Sequence, residues 1–350
     1  MNKSLKTALL EQYQVRKSAT EKRAFRAYVA EFCREAGVNC AVEREKGLIS
    51  SHNIVIGDLS RAQIVFTAHY DTCAVLPFPN LITPLSPSLF LLWQLALVVL
   101  LLAPALLAGF ALGWVFSGWG KLGFYAVLLA LCWQTMFGVS NRHTANDNTS
   151  GVAVLLQAVQ DMPDALRDRI AIVLFDNEET GLLGSTAFFR RHRDMMQRTP
   201  LVNFDCVSDG ENLLLAVSKN AADLPCLERM QDLFRENVRA SGKHPLTPRP
   251  GRSIYPSDQM RYPYGIAVAA LKKSRRGVYY MDRIHTGRDT VFEESNLDCL
   301  VQYIAALAQS EEIQPAANPT KPKASLGFGA ILLISVVLGA VIGFLLAMQK

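Results

Sequence analysis

The sequence predicts an α/β domain built on a mostly parallel mixed sheet with helices on both faces, joined to transmembrane helices. Three observations carry that expectation. Short apolar runs of strand length alternate with amphipathic helical patterns. Polar, acid-rich segments follow several of the runs directly. Long charge-free stretches interrupt the pattern: no charged residue lies between Asp71 and Lys121, between Lys121 and Arg142, or between Lys323 and Lys350.

Residues 1 to about 45 read as helical, with Ala24, Tyr28, Phe32 and Ala36 at helical spacing. The runs NIVIG (53–57), QIVFTAH (63–69), IAIVLFD (170–176) and LVNFD (201–205) read as buried strands. Between and after them lie the helical segments GVAVLLQAVQDM, LPCLERMQDLFRENVRA and NLDCLVQYIAALAQ. Strands alternating with helices argue for a parallel sheet covered on both faces.

The apolar insertion falls into two stretches, Leu85 to Trp114 and Leu122 to Gly138, parted by the polar break SGWGK. A helix spanning the hydrocarbon core takes about 20 residues, so both stretches qualify, the second near the lower limit. The bland alternative is a buried core hairpin, but soluble core helices are usually shorter and flanked by charge. A third segment, Leu326 to Met348, follows a Pro/Ala/Lys linker and reads as a C-terminal anchor. The expected organisation is therefore a catalytic domain in two parts, 1–82 and 140–312, a transmembrane hairpin at 83–139, a linker at 313–325 and a transmembrane helix at 326–348. Residues before and after the insertion can build one site only if it crosses the bilayer an even number of times, as a hairpin does.

Orientation rests on few charges. Lys121 stands alone in the hairpin turn, whereas Arg142, Lys321 and Lys323 lie on the domain side. That bias places the catalytic domain in the cytoplasm and the anchor in the inner or plasma membrane. Seven scattered cysteines without a C-x-x-C pair fit a reducing compartment and suggest neither a thiolate zinc site nor a disulfide scaffold. The N-terminus carries charges at short intervals and no apolar core, unlike a secretory signal. A net charge of +5 without Lys/Arg runs carries no nucleic-acid signature, and a lipid surface is the simpler partner.

Five motifs hold the chemistry. TAHYDT ends the QIVF strand, where His69 and Asp71 point to one side and a carboxylate can fix an imidazole's tautomer. ANDNTSG places Asp147 just before a helix, where an N-terminal charge is the plain alternative. FDNEETGLLGS carries adjacent Glu178 and Glu179 on the loop beyond a strand, at the edge where α/β sites assemble. NFDCVSDG offers Asp205 at a strand end, with Asp209 as a rival that reads better as a turn residue. RIHTGRDT holds His285 in a polar loop. His52, His143, His192 and His244 lie among polar or basic neighbours, although His143 is close to Asp147. Two histidines and several carboxylates form an N/O donor set suited to zinc or another divalent first-row metal. A carboxylate bridging two metals about 3.5–4 Å apart would use the whole set.

Taken in order, these motifs resemble the co-catalytic di-zinc exopeptidases, the family of S- and Y-type aminopeptidases, glutamate carboxypeptidase II and the glutaminyl cyclases. The resemblance covers roughly 1–80 and 140–312. It implies two Zn2+ ions and a peptide substrate. It also implies that Asp147 bridges the metals, that His69 and Asp205 complete one site, and that Glu179 and His285 complete the other. Glu178 would be the general base, Asp71 would orient His69, and a cis peptide would follow Asp147. The expected activity is that of a membrane-anchored aminopeptidase, hydrolysing N-terminal peptide bonds with metal-activated water. The alternatives are a carboxypeptidase, whose carboxylate clamp could come from Arg252, Arg275 or Arg276; a glutaminyl cyclase, which uses one zinc; and a non-catalytic receptor-like protein. The turn-rich region 241–262, with Asp258, is a candidate loop over the site. The inserted hairpin departs from the family pattern and would set the site close to the bilayer.

Overall fold

The computed structural model describes residues 1–47, 49–76 and 78–320, so the expected segment at 326–348 lies outside the described residues. Its centre is a nine-stranded mixed sheet in the order β1-β2-β4-β3-β5-β8-β6-β7, with β9 paired to β8. The main elements, in chain order after a short helical segment at residues 3–12, are α1 (Ala19–Glu35), β1 (Cys40–Glu45), β2 (Ser51–Gly57), β3 (Ile64–His69), α2 (Pro87–Val115), α3 (Gly120–Phe137), α4 (Gly151–Asp161) and β4 (Ile170–Phe175). They continue with α5 (Leu183–Arg191), β5 (Leu201–Phe204), β6 (Asn212–Val217), α6 (Leu227–Ala240), β7 (His244–Leu246), β8 (Gly265–Lys273), β9 (Tyr279–Tyr280) and α7 (Glu294–Gln309). Strands β4, β3, β5 and β8 run parallel at the centre, while β2 and β6 flank them antiparallel.

The four apolar runs become β2 to β5, because each is short, rich in β-branched residues and buried on both faces. Alternation sends Ile54, Ile56, Phe66 and Leu174 to one face, where Phe25 and Val29 of α1 and the apolar faces of α4, α6 and α7 cover them. Val55, Val65, Val173 and Phe175 point the other way, against Phe188 of α5 and Tyr262. The expected helix over 1–45 holds only in part. A capping box of Ser18 and Glu21 starts α1, but the chain turns at Gly37 (φ 67°) and CAVERE continues as edge strand β1.

Helices α2 and α3 form the inserted hairpin, 29 and 18 residues long and apolar enough to cross a membrane. At about 1.5 Å per residue the shorter one is about 27 Å long, slightly short of a hydrocarbon core of about 30 Å. Leu107, Phe110, Trp114, Leu129 and Trp133 stand exposed on it, the reverse of a core helix. The two helices meet through small residues. A Cβ added at Gly120 would stand 2.8 Å from the Gly109 carbonyl oxygen, and one at Gly123 would stand 2.9 Å from that of Ala108. Small residues at the contact let the two helix backbones approach closely.

The base of the hairpin is built into the globular domain. Phe90 is buried with Ile82, Tyr255, Met281 and Ile284. The Val75 N–H donates to the Val139 carbonyl (2.8 Å), and Lys17 Nζ donates to the Met136 carbonyl (2.7 Å).

Candidate metal centre

The candidate residues converge at the carboxyl ends of the central parallel strands. His69 is the last residue of β3. Glu178 and Glu179 follow β4, and Asp205 follows β5. Asp147 lies in the segment leading into α4, and His285 lies in the loop after β9. His69 Nε2 stands 3.3 Å from Asp147 Oδ1 and 3.5 Å from Asp205 Oδ1. His285 Nε2 stands 3.0 Å from Asp147 Oδ2 and 3.4 Å from Glu179 Oε2. Asp147 thus turns one oxygen to each histidine. Two donor sets share it, His69–Asp147–Asp205 and Asp147–Glu179–His285, each with its donor atoms within 4.8 Å of one another.

Local sequence explains why Asp147 is held there. The carboxylate of Asp289 accepts from the N–H groups of Asn146 (2.8 Å) and Asp147 (3.0 Å). Asn148 donates to the Phe204 carbonyl (2.9 Å) and accepts from Gly151 N (3.0 Å), tying this segment to the end of β5. The peptide between Asp147 and Asn148 is cis. Gly151 must be glycine, because a Cβ would fall 2.3 Å from the Phe204 carbonyl oxygen. Asn177, Cys206 and His285, each at or beside a candidate ligand, take left-handed backbone (φ 57°, 57° and 60°), which side-chain-bearing residues rarely hold away from functional sites.

Asp71 lies beside His69, as its motif suggests, and meets the ring through two different atoms. The nearest partner of His69 Nδ1 is the Asp71 main-chain oxygen (3.0 Å), while the carboxylate lies 3.7 Å away. A proton on Nδ1 donated to that oxygen leaves Nε2 free as a ligand. The Asp71 carboxylate instead accepts from the N–H groups of Glu178 (2.9 Å) and Glu179 (3.2 Å). It braces the loop that presents both glutamates.

The donors fit a bound cation. Among the described residues no Lys or Arg pairs with Asp147, Glu178, Glu179 or Asp205, and the two histidines are their only basic partners. Glu179 Oε1 is buried without a hydrogen-bond partner, a costly state for a carboxylate unless an ion supplies the missing interaction. Burial together with neighbouring carboxylates pushes Glu179 up to about 8 and raises Glu178 well above the usual carboxylate range. Burial opposes charge on His285, but Glu179 and Asp147 outweigh it and lift the ring to about 9. His69 rises for the same reason, through Glu178, Asp147 and Asp205. Asp147 is held below the normal range despite its burial, because both histidines face it. Protons thus occupy sites that divalent ions would take.

The remaining sequence candidates separate cleanly. Asp209 is paired with Lys272 (3.4 Å) and Arg283 (3.5 Å) and faces neither donor set. His143, Arg252, Arg275 and Arg276 are exposed. Asp258 is fully buried, both its oxygens lack partners, and burial lifts it to about 7, near enough for Glu178 to feel its charge.

Three supporting residues escaped sequence reasoning. Asp289 stood in the quoted RIHTGRDT, and its four-residue distance from His285 was the available signal. Cys73 lies beside Asp147, Glu179 and His285. Arg16 is completely buried, donating to the Tyr70 carbonyl (2.5 Å) and Thr149 Oγ1 (3.1 Å) beneath the site. Burial draws its guanidinium down to about 10, with Asp71 and Asp147 partly offsetting the effect. A lone arginine in an N-terminal segment gives no sequence signal.

The chain and its fold are similar to known proteins. Over residues 133–308 the chain matches the model of peptidase family M28. The fold is similar to a Zn-dependent exopeptidase from Parabacteroides distasonis (14% identity, TM-score 0.56), with 88% of this chain and 96% of that one covered. It is also similar to Porphyromonas gingivalis glutaminyl cyclase (14%, TM-score 0.53; 86% and 93% covered) and Macrostomum lignano glutaminyl cyclase (13%, TM-score 0.54; 88% and 89% covered). No curated protein matches the chain in sequence. Half of the chain lies within the family match, and an α/β exopeptidase fold carries an acid-rich centre at its sheet edge; the protein belongs to peptidase family M28, the zinc-dependent metallopeptidases.

Proposed function

We propose that this protein is a membrane-anchored aminopeptidase with two zinc ions, removing N-terminal residues from peptides close to a bilayer surface. The observation that carries the reading is the sharing of Asp147 between two complete donor sets, with Glu178 beside them. His69, Asp147 and Asp205 would hold one ion, and Asp147, Glu179 and His285 the other. Zinc bound there would polarise the scissile carbonyl and make water acidic enough to attack near neutral pH. Glu178 is the general base: it takes the proton of the attacking water and returns it to the leaving amine. Asp71 fixes the backbone from which Glu178 projects.

The membrane part of the reading rests on where the hairpin is rooted. The Leu76 N–H, beside the segment that leads into α2, donates to the His285 carbonyl (2.7 Å), and Ile82 pairs with Met281. If α2 and α3 cross the bilayer, the site lies just above its surface and favours apolar or membrane-associated peptides. The Lys121, Arg142, Lys321 and Lys323 bias puts the catalytic domain on the cytoplasmic side of an inner or plasma membrane. Arg252, Arg275 and Arg276, the candidates for a carboxypeptidase clamp, are exposed, which favours the aminopeptidase.

The test is hydrolysis of an aminoacyl-nitroanilide panel by detergent-purified protein, beside a Glu178→Gln variant and a chelated sample. Cleavage of free-amine substrates that both controls lose supports the assignment. Inactivity of the two-zinc protein on the panel, with ammonia released from N-terminal glutaminyl peptides, would replace it with a cyclase.

A further inference from the structure

We propose that Cys73 is a fourth ligand of the second metal position, so that this centre is a mixed N/O/S site rather than an all-N/O one. The inference rests on the two-metal reading above and adds a donor to it. Cys73 lies four residues beyond His69, is 2% exposed, and has its Sγ within 4.8 Å of the donor atoms of Asp147, Glu179 and His285. Glu179 Oε1, buried and without a hydrogen-bond partner, lies in the same cluster and points independently to an ion there.

The backbone around Cys73 is fixed against the same elements. Asn141 donates its N–H to the Cys73 carbonyl (3.1 Å), and its Nδ2 donates to the carbonyls of His143 (2.6 Å) and Thr286 (3.0 Å), the residue after His285, with Cys73 Sγ 3.8 Å away. Asn141 thereby ties the Cys73 segment to the loop that carries His285. Cys206 makes the contrast. It neighbours the first set, but its thiol donates to Asp205 Oδ1 (3.1 Å) and it joins no donor group.

On metal binding the Cys73 S–H loses its proton to solvent and a metal–sulfur bond forms. Asp147, Glu179, His285 and Cys73 then supply four protein donors to the second ion. The first keeps three, His69, Asp147 and Asp205, and with them an open position for substrate. A thiolate also biases the second position towards zinc and against hard ions such as magnesium.

The experiment loads the full-length detergent-purified protein with cobalt(II) and measures bound equivalents alongside the ultraviolet spectrum. Two equivalents with a thiolate-to-cobalt charge-transfer band are expected in wild type and in Cys206→Ser. In Cys73→Ser the band should vanish, and the weaker site should lose zinc affinity on the order of 10-fold or more. Two bound equivalents without the band in wild type would overturn the thiolate ligand while leaving the two-metal reading intact. Persistence of the band in Cys73→Ser would also overturn it. Failure to bind cobalt at all removes both readings. Should Cys73→Ser not fold, X-ray absorption of the zinc-loaded Cys206→Ser protein decides: sulfur at about 2.3 Å supports the ligand, and its absence rejects it.

Discussion

Replacing Asp71 separates two ways in which this buried carboxylate can serve the site. Its oxygens accept from the N–H groups of Glu178 and Glu179 at 2.9 and 3.2 Å, while His69 Nδ1 is met more closely by the Asp71 main-chain oxygen. Asp71→Asn keeps one acceptor and turns an NH2 towards the other N–H, so about one charge-assisted hydrogen bond is lost, worth roughly 1.5–3 kcal/mol. At about 1.4 kcal/mol per decade, that loss costs kcat on the order of 10- to 100-fold if the glutamate loop must be rigid in the transition state. Asp71→Ala removes both bonds, roughly 3–6 kcal/mol, and some of that will appear as lowered stability. The main-chain oxygen survives either change, so His69 keeps its partner and the protein keeps both metals. The assay is kcat and KM on an aminoacyl-nitroanilide together with zinc per chain. The expected result is a fall in kcat with KM and zinc content nearly unchanged. Wild-type kcat in Asp71→Asn would refute the bracing role. Loss of one zinc, with activity per remaining two-zinc molecule unchanged, would return Asp71 to the task of orienting His69.

Asp289→Ala should leave the N–H groups of Asn146 and Asp147 unpaired and weaken zinc binding about 10- to 100-fold, measured by competition with a chromophoric chelator. Metal-free protein should melt at lower temperature at pH 8.5 than at pH 6. Glu179 (about 8), Asp258 (about 7) and Asp289 (about 7) have folded values raised above their unfolded ones, as has His285 (about 9). Each therefore contributes stability that is lost as pH rises through its folded value, and the dependence should flatten once zinc replaces the protons. Gly120→Val sets a Cβ 2.8 Å from the Gly109 carbonyl oxygen and should part α2 from α3. Disulfide trapping between cysteines placed on the facing helices should fall sharply, while nitroanilide hydrolysis in detergent persists.

The sheet centre was legible because β3 to β5 are fully buried, β2 nearly so, and their sequences carry continuous apolar runs. Strands β6 and β8 are as buried, yet NLLLAV and GIAVAALKK stood in a stretch without chemical motifs to draw attention, and they went unread. Edge strand β1 was mistaken for helix because CAVERE is half polar, and its pairing with β2, not its own pattern, selects the extended form. The site residues announced themselves by type and order, whereas their supports did not. Asp289 and Arg16 act through main-chain and side-chain groups far away in sequence, 142 and 133 residues in the bonds to Asp147 and Thr149. Such partnerships exist only once the sheet has brought the loops together. Cys73 was passed over for a related reason: cysteine ligands are recognised in sequence by pairing, and a single thiol has no pair to find.

The insertion point itself constrains the architecture. Ala74 pairs with Ser140 in an isolated bridge, and the Asn141 N–H donates to the Cys73 carbonyl, so the chain leaves and re-enters the domain side by side only a few residues from His69. A hairpin grafted there costs little loop entropy, because its ends are already held together. It also cannot move independently of the site, since Leu76 bonds to His285 and Asn141 to Thr286. The root of the hairpin therefore touches both the loop that carries His285 and the end of the strand that carries His69.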